Sequence, residues 1–143
     1  MSREIQVTNF TKAMGQPVGL TLRDADKQHL VRVLDLRASL LSEEVSEVFE
    51  ECENIIEKLE EDFDVTTEDI AKLLSELADL QYVLSGFAIT FGLPLREAFN
   101  RIHDANMSKL DDNGNPIYRA DGKIMKGPNY KKAVLDDLVA LRH

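Results

Sequence analysis

The chain has 143 residues, 43% of them hydrophobic and 30% charged, a balance that fits one soluble globular domain and argues against disorder. Tryptophan is absent and glycine and proline are sparse, which favours helices over a turn-rich β fold. The net charge of −9 argues against a nucleic-acid partner, although a single phosphorylated metabolite stays open because a bound cation inverts the local field.

Residues 4–14 carry Val7, Phe10, Ala13 and Met14 in a short amphipathic pattern, and Gly15 and Pro17 supply a stop. By pattern alone Phe10 and Met14 read as core contacts. The first residues lack the apolar run of a signal peptide and no stretch could span a bilayer, so a cytoplasmic location without membrane attachment is the default.

From about Asp26 to Leu59, Leu30, Leu34, Leu41, Val45, Val48, Cys52, Ile55, Ile56 and Leu59 recur at steps of three and four, predicting a long helix. Cys52 lies among them and reads as a buried, inert thiol. Glu44 stands at the edge of this stripe, three residues after Leu41 and four before Val48, with Glu47 one turn on. Glu43 points further round the helix. Arg37 falls within the apolar arc, so it either snorkels outward or pairs with the carboxylates or an anionic ligand.

An acidic connector, residues 60–65, leads to Thr66 and Asp69, which together resemble a capping box. The helix this predicts runs to about Phe91, with Gly92 as its terminator and Pro94 opening its successor. Ile70, Leu73, Leu74, Leu77, Leu80, Leu84, Phe87, Ala88 and Phe91 cover more than half of its circumference, so it should be central to a bundle or buried between subunits. Glu76 and Asp79 interrupt its apolar surface. Carboxylates there must be neutralised, paired or bound to metal.

Residues 94–109 read as a further helix with Leu95, Ala98, Phe99, Ile102 and Met107 inward, ending in Asn106 and Lys109. His103 on this helix reads as structural or capping, and Lys109 complements the helix dipole. Turn residues then alternate through 111–129, predicting a small hairpin or ordered flap that carries Arg119, Lys123 and Lys126. A short helix over about 130–141 should close the chain.

Four carboxylates from two antiparallel helices are hard ligands suited to Mg²⁺ or Mn²⁺, leaving one side of the ion for water or substrate phosphates. Zinc is disfavoured because neither acidic motif offers His or Cys at tetrahedral spacing, and a di-iron centre would need Glu-x-x-His pairs. No glycine-rich phosphate loop and no nucleophile motif is present.

Glu43-Glu44-x-x-Glu47 followed by Glu76-x-x-Asp79 resembles the signature of the MazG-like, all-α nucleoside triphosphate pyrophosphohydrolases. The context Arg37-x-x-Leu40-Leu41 and Leu80-x-Tyr82-Val83 is similar too. His103-x-x-Asn106-x-Ser108-Lys109 and Asp121-Gly122-Lys123-x-x-Lys126 resemble the branch that holds all-α dUTP and dCTP pyrophosphatases and phosphoribosyl-ATP pyrophosphohydrolase. The likeness spans roughly residues 30–132.

It implies a four-helix-bundle-like, all-α domain with a core at about 26–110 and a flap at about 111–129, assembled as a homodimer or homotetramer. The implied activity is Mg²⁺-dependent hydrolysis of a (deoxy)nucleoside triphosphate between the α- and β-phosphates, giving the monophosphate and pyrophosphate. A house-cleaning role on dUTP- or dCTP-type or non-canonical nucleotides is expected. Glu44, Glu47, Glu76 and Asp79 carry over as metal ligands, and Glu43 as a further metal contact or the group that activates water. Asn106 and Lys109, with Lys123 and Lys126 from the flap, carry over as substrate-binding residues. Phe10 and Met14 carry over as base-pocket residues. The competing expectation is a non-enzymatic helical module that docks a partner or senses nucleotide.

Overall fold

The computed structural model describes residues 1–140 and is all-helical: α1 (Arg3–Ala13), α2 (Lys27–Glu60), α3 (Thr67–Thr90), α4 (Leu95–Met107) and α5 (Asp136–Val139). No described helix is long and apolar enough to cross a membrane. Two compact units divide the chain, residues 1–93 and 94–143. The division falls between α3 and α4.

In the first unit each helix starts where a side chain can accept an otherwise unpaired backbone N–H. Ser2 caps α1 through Ile5 N, and Asp26 caps α2 through His29 N. At α3 the expected capping box is present, Thr66 accepting from Asp69 N while the Asp69 carboxylate accepts from Thr66 N. The last turn of α3 is closed from outside the helix: Gly19 N and Leu20 N donate to the carbonyls of Ile89 and Thr90 at 2.9 and 2.8 Å. Gly19 has φ +74°, a conformation glycine adopts without penalty.

α2 and α3 form an antiparallel hairpin, with α1 against α3. Leu30, Val33 and Phe91 make the buried cluster, joined by Leu20, Leu34, Phe87 and Leu93, so the core lies where the start of α2 meets the end of α3. On α1 the burying residues are Val7 and Thr11, whose hydroxyl donates back to the Val7 carbonyl. Phe10 and Met14 are exposed, not the core contacts that pattern alone suggested. By helical phase both fall on the same side of the helix as Val7 and Thr11, so periodicity alone could not separate them; Phe10 stands at the edge of that face and Met14 is already the C-cap of α1. Cys52 is half-buried, less enclosed than expected, because α2 runs well past the buried cluster.

The second unit pairs α4 with the hairpin segment and the C-terminal stretch. Tyr118 and Ile124 form an isolated antiparallel bridge, the only β pairing among the described residues, and Met125 N donates to the Ile117 carbonyl at 2.7 Å. Gly122, at φ +85°, makes the tip. The side chain of Asp111 accepts from Asn113 N and Asn115 N, an Asx-type turn that starts the hairpin.

The expected helix over 130–141 is reduced to one turn at 136–139, and Leu141 lies outside the described residues. Its upstream half is committed elsewhere: Tyr130 N donates to the Gly127 carbonyl and Lys131 N to the Ser108 hydroxyl on α4's cap. Arg101 of α4 then holds the stretch, bidentate to Asp137 and bonded to the Val134 carbonyl.

Candidate active site

Midway along the α2–α3 hairpin, Glu44, Glu47 and Glu76 each place a carboxylate oxygen within 4.8 Å of the others. The spacing along the chain explains this. Glu44 and Glu47 are three apart on α2, and Glu76 sits on α3 beside the same seam. Glu44 and Glu76 are half-buried, Glu47 exposed. Oε2 of Glu44 and Oε2 of Glu76 are both buried and receive no hydrogen bond.

The electrostatics follow from crowding like charges at a half-buried seam. The Glu44 carboxyl is pushed up by burial first, then by the charge and hydrogen-bonding proximity of Glu47 and by the charges of Asp79 and Glu43. Glu76 is pushed up to about 7, mainly by a hydrogen bond shared with Glu47 that requires a proton, then by burial and by its acidic neighbours Glu47, Asp79 and Glu44. Without a cation Glu44 and Glu76 therefore hold their protons more tightly than isolated carboxyls do. A divalent ion would replace those protons and satisfy the two orphaned oxygens, and an all-carboxylate donor set is suited to a hard cation. The three glutamates thus fit a metal ion.

The other two acids of the motif flank this group. Asp79 is exposed; its charge acts on both Glu44 and Glu76, but its oxygens lie outside the 4.8 Å set. Glu43 is exposed and acts on Glu44 through its charge.

A family model described as phosphoribosyl-ATP pyrophosphohydrolase matches residues 7–106, which includes the whole acidic cluster. The chain belongs to the phosphoribosyl-ATP pyrophosphohydrolase family. None of the curated proteins matches it significantly. Among solved structures it is similar to the crystal structure of a "putative NTP pyrophosphohydrolase" from Exiguobacterium sp. 255-15. That similarity is at 22% identity over 98% of this chain and 93% of that one, with a TM-score of 0.44. Membership makes this protein a pyrophosphohydrolase of the all-α, MazG-like kind.

Within this pyrophosphohydrolase the remaining expected site residues divide between the two units. Arg37 is buried at 6% exposure and turns to Gln16, donating from Nη2 to Oε1 at 3.0 Å; it neither snorkels nor reaches the carboxylates. Its Nε has no partner, and burial lowers the affinity of the guanidinium for its proton. Gly86 makes the room: a Cβ there would lie 3.4 Å from Nη1 of Arg37 and 3.7 Å from Val7. Phe10 packs edge-to-face on Tyr82, with ring centroids 5.5 Å apart, and both rings keep exposed surface. Met14 is exposed one turn beyond Phe10.

In the second unit Asn106 and Lys109 meet across the α4 terminus, Lys109 N donating to the Asn106 carbonyl. Gly127 N donates in turn to the Lys109 carbonyl at 3.0 Å, which fastens the base of the hairpin beside Lys109. Lys126 lies with Nζ 4.8 Å from the Tyr130 ring centre, and Lys123 stands exposed near the tip, its N–H bonded to Asp121.

Sequence reasoning missed Tyr82 as the partner of Phe10 and Gln16 as the partner of Arg37, since neither contact has a signature in local spacing. It also read Asp69 only as a cap. Lys58 Nζ and Asn54 Nδ2 from α2 bond the same carboxylate, at 2.5 and 3.3 Å.

Proposed function

We propose that this protein hydrolyses a (deoxy)nucleoside triphosphate between its α- and β-phosphates in a Mg²⁺-dependent reaction, with Mn²⁺ as a substitute, releasing the nucleoside monophosphate and pyrophosphate. The observation that carries the reading is the convergence of Glu44, Glu47 and Glu76, with two buried oxygens that no donor satisfies, in a chain of a pyrophosphohydrolase family. Glu44, Glu47, Glu76 and Asp79 would hold the metal. When bound, it supplies neutralisation of phosphate charge and orientation of the phosphate chain. Glu43, exposed beside Glu44, either adds a contact to the ion or takes the proton of the attacking water.

Asn106, Lys109, Lys123 and Lys126 bind the nucleotide, the lysines through its phosphates. Arg37 contributes by holding the α1–α2 connection through Gln16. Phe10 and Met14, with Tyr82 behind Phe10, offer an exposed apolar surface for the base. The substrate is a dUTP- or dCTP-type or non-canonical nucleotide, and the role is sanitation of the cytoplasmic nucleotide pool. A second reading, phosphoribosyl-ATP as substrate, is favoured by the description of the matching family.

The active form in this proposal is a homodimer or homotetramer. Ile70, Leu74, Leu77 and Leu84 on α3 are 40–66% exposed in the single chain, an apolar row that a second copy would cover.

A panel of (deoxy)nucleoside triphosphates plus phosphoribosyl-ATP, assayed for pyrophosphate release with Mg²⁺ and with chelator, tests both readings. Turnover of any member that chelator abolishes supports the reaction, and the preferred member chooses between substrates. No turnover of any, or turnover indifferent to chelator, refutes it. Glu47→Gln and Asp79→Asn should keep the helices and lose the activity.

A further inference from the structure

Asp69 is one of the most enclosed charged groups in the first unit, at 5% exposure, and it lies outside the acidic cluster. Its carboxylate accepts from Lys58 Nζ at 2.5 Å, Asn54 Nδ2 at 3.3 Å and Thr66 N at 2.9 Å. The last bond is a helix cap, but the first two cross from α2 to α3, and a cap needs neither.

Their position along the hairpin gives them a purpose. Asn54 faces Asp69. Seven residues back along α2 and seven forward along α3 lie Glu47 and Glu76, and three more on each helix reach Glu44 and Asp79. The clamp and the acidic cluster therefore share one register of one antiparallel seam. Seven residues span about 10.5 Å and return to nearly the same helix face. A slip of α3 by one turn would move Glu76 by about 5.4 Å along α2. That exceeds the 4.8 Å within which the three carboxylates converge.

The metal-free cluster is a weak keeper of that register, because two of its buried carboxylate oxygens have no partner there. The apolar residues of the cluster end, Leu30, Val33 and Phe91, lie beyond the carboxylates in the other direction. Toward the connector, the Lys58–Asn54–Asp69 contact is the polar lock on register.

We propose that Asp69, held by Lys58 and Asn54, is a positioning residue for the metal site, fixing the α2–α3 register that brings Glu76 to Glu44 and Glu47. This rests on the metal reading of the three glutamates, and the two fail differently under test.

The experiment measures Mn²⁺ affinity by electron paramagnetic resonance and Tm by circular dichroism, on the full chain without nucleotide. Four variants are compared: Asp69→Asn, Lys58→Met, Lys58→Arg and Thr66→Ala. Asp69→Asn retains an oxygen for Thr66 N but loses the ion pair. Lys58→Met breaks the clamp from the less enclosed side and leaves the cap of α3 whole. The expected result is at least tenfold weaker Mn²⁺ binding in Asp69→Asn and Lys58→Met at a temperature where both are fully folded, with affinity restored in Lys58→Arg. Thr66→Ala, which removes a cap bond without touching the cross-helix contacts, should lower Tm and leave Mn²⁺ affinity unchanged. Wild-type affinity in Lys58→Met and Asp69→Asn, whatever their Tm, overturns the positioning role while leaving the metal site intact. Absence of Mn²⁺ binding to the wild type overturns the metal reading and this inference together.

Discussion

Gly127 offers the sharpest test of whether the hairpin and α4 act as one substrate-binding piece. A Cβ built there would lie 2.6 Å from the Lys109 carbonyl oxygen, 3.0 Å from that of Leu110 and 3.3 Å from Ile117 Cδ1. Ordinary C···O contacts lie at about 3.3–3.6 Å, so the first is about 0.7 Å too close. The two nearest atoms are backbone, so no flexible side-chain end can yield. Gly127→Ala must therefore push residues 126–128 away from 109–110, and the Gly127 N–H bond to Lys109 goes with it.

Overpacking of this size costs about 1–3 kcal/mol. If Lys109 and Lys126 grip the same phosphate chain, that energy appears in substrate binding as a roughly 5- to 150-fold rise in KM. The assay is steady-state pyrophosphate release, with hydrogen exchange at Met125 and at position 127 reporting docking of the hairpin. Gly114→Ala serves as control: it has φ +77° but no atom within 4 Å of the new Cβ, so it strains only its own turn. Unchanged KM in Gly127→Ala with unchanged amide protection would refute the reasoning. Lost protection with unchanged KM would show that the hairpin's position does not matter to substrate.

Three further outcomes are expected. In chelator, thermal stability should fall as pH rises from about 4.5 to about 7. Glu76 keeps its proton to about 7 in the folded state and loses it near 4.5 when unfolded, so folded protein binds the extra proton across that window. Asp69, Asp121 and Asp137, held below the usual range by Lys58, Arg119 and Arg101, act with the opposite sign but only at more acid pH. Saturating Mg²⁺ should flatten or reverse the slope, and a flat Tm-versus-pH curve in chelator would count against the clustered acids. Arg37→Met should hold or raise the Tm of nucleotide-free protein. One charged hydrogen bond to Gln16 is worth about 1.5–3 kcal/mol, whereas desolvating an unpaired ion costs several kcal/mol. A clear fall in Tm would mean that the guanidinium has an anion to hold it. Leu74→Glu, at a position 66% exposed in the single chain, should shift the protein toward monomer in sedimentation velocity, and an unaltered assembly would exclude this row from the interface.

The helices of the first unit were legible in sequence because their signals are local. The Leu30-to-Leu59 stripe, the Thr66–Asp69 box and Gly92 each act within a turn or two, and the observed ends fall within a residue or two of the expected ones. The paired acids were legible for the same reason: three-residue spacing on each helix is visible without knowing how the helices pair. What the chain order could not display is which residues meet across the hairpin. The 54–69 contact and the 47–76 contact obey one register, but that register becomes visible only once one pair is known. The C-terminal helix was over-extended because its periodicity was real while its backbone donors were already used by Ser108 and Gly127.

The hairpin carries a conflict at its centre that its ends resolve. A seam with three or four carboxylates and two unsatisfied buried oxygens is unfavourable for the metal-free chain, and local propensity alone would let it splay. The same two helices place their apolar cluster on one side of that seam and the Lys58–Asn54–Asp69 contact on the other. Neither end satisfies those two oxygens; each prevents the displacement through which they would otherwise reach water. The unmet demand of those oxygens therefore stays at the place where a cation would answer it. A site held in this way gives binding energy to metal without a large rearrangement of backbone, which is what a preorganised hydrolytic centre requires. Burial and the neighbouring Glu47 at the same seam raise the proton affinity of Glu44 and Glu76. Glu43 and Asp79 are exposed at the rim, where Asp79 can complete the proposed ligand set and Glu43 stays open to water.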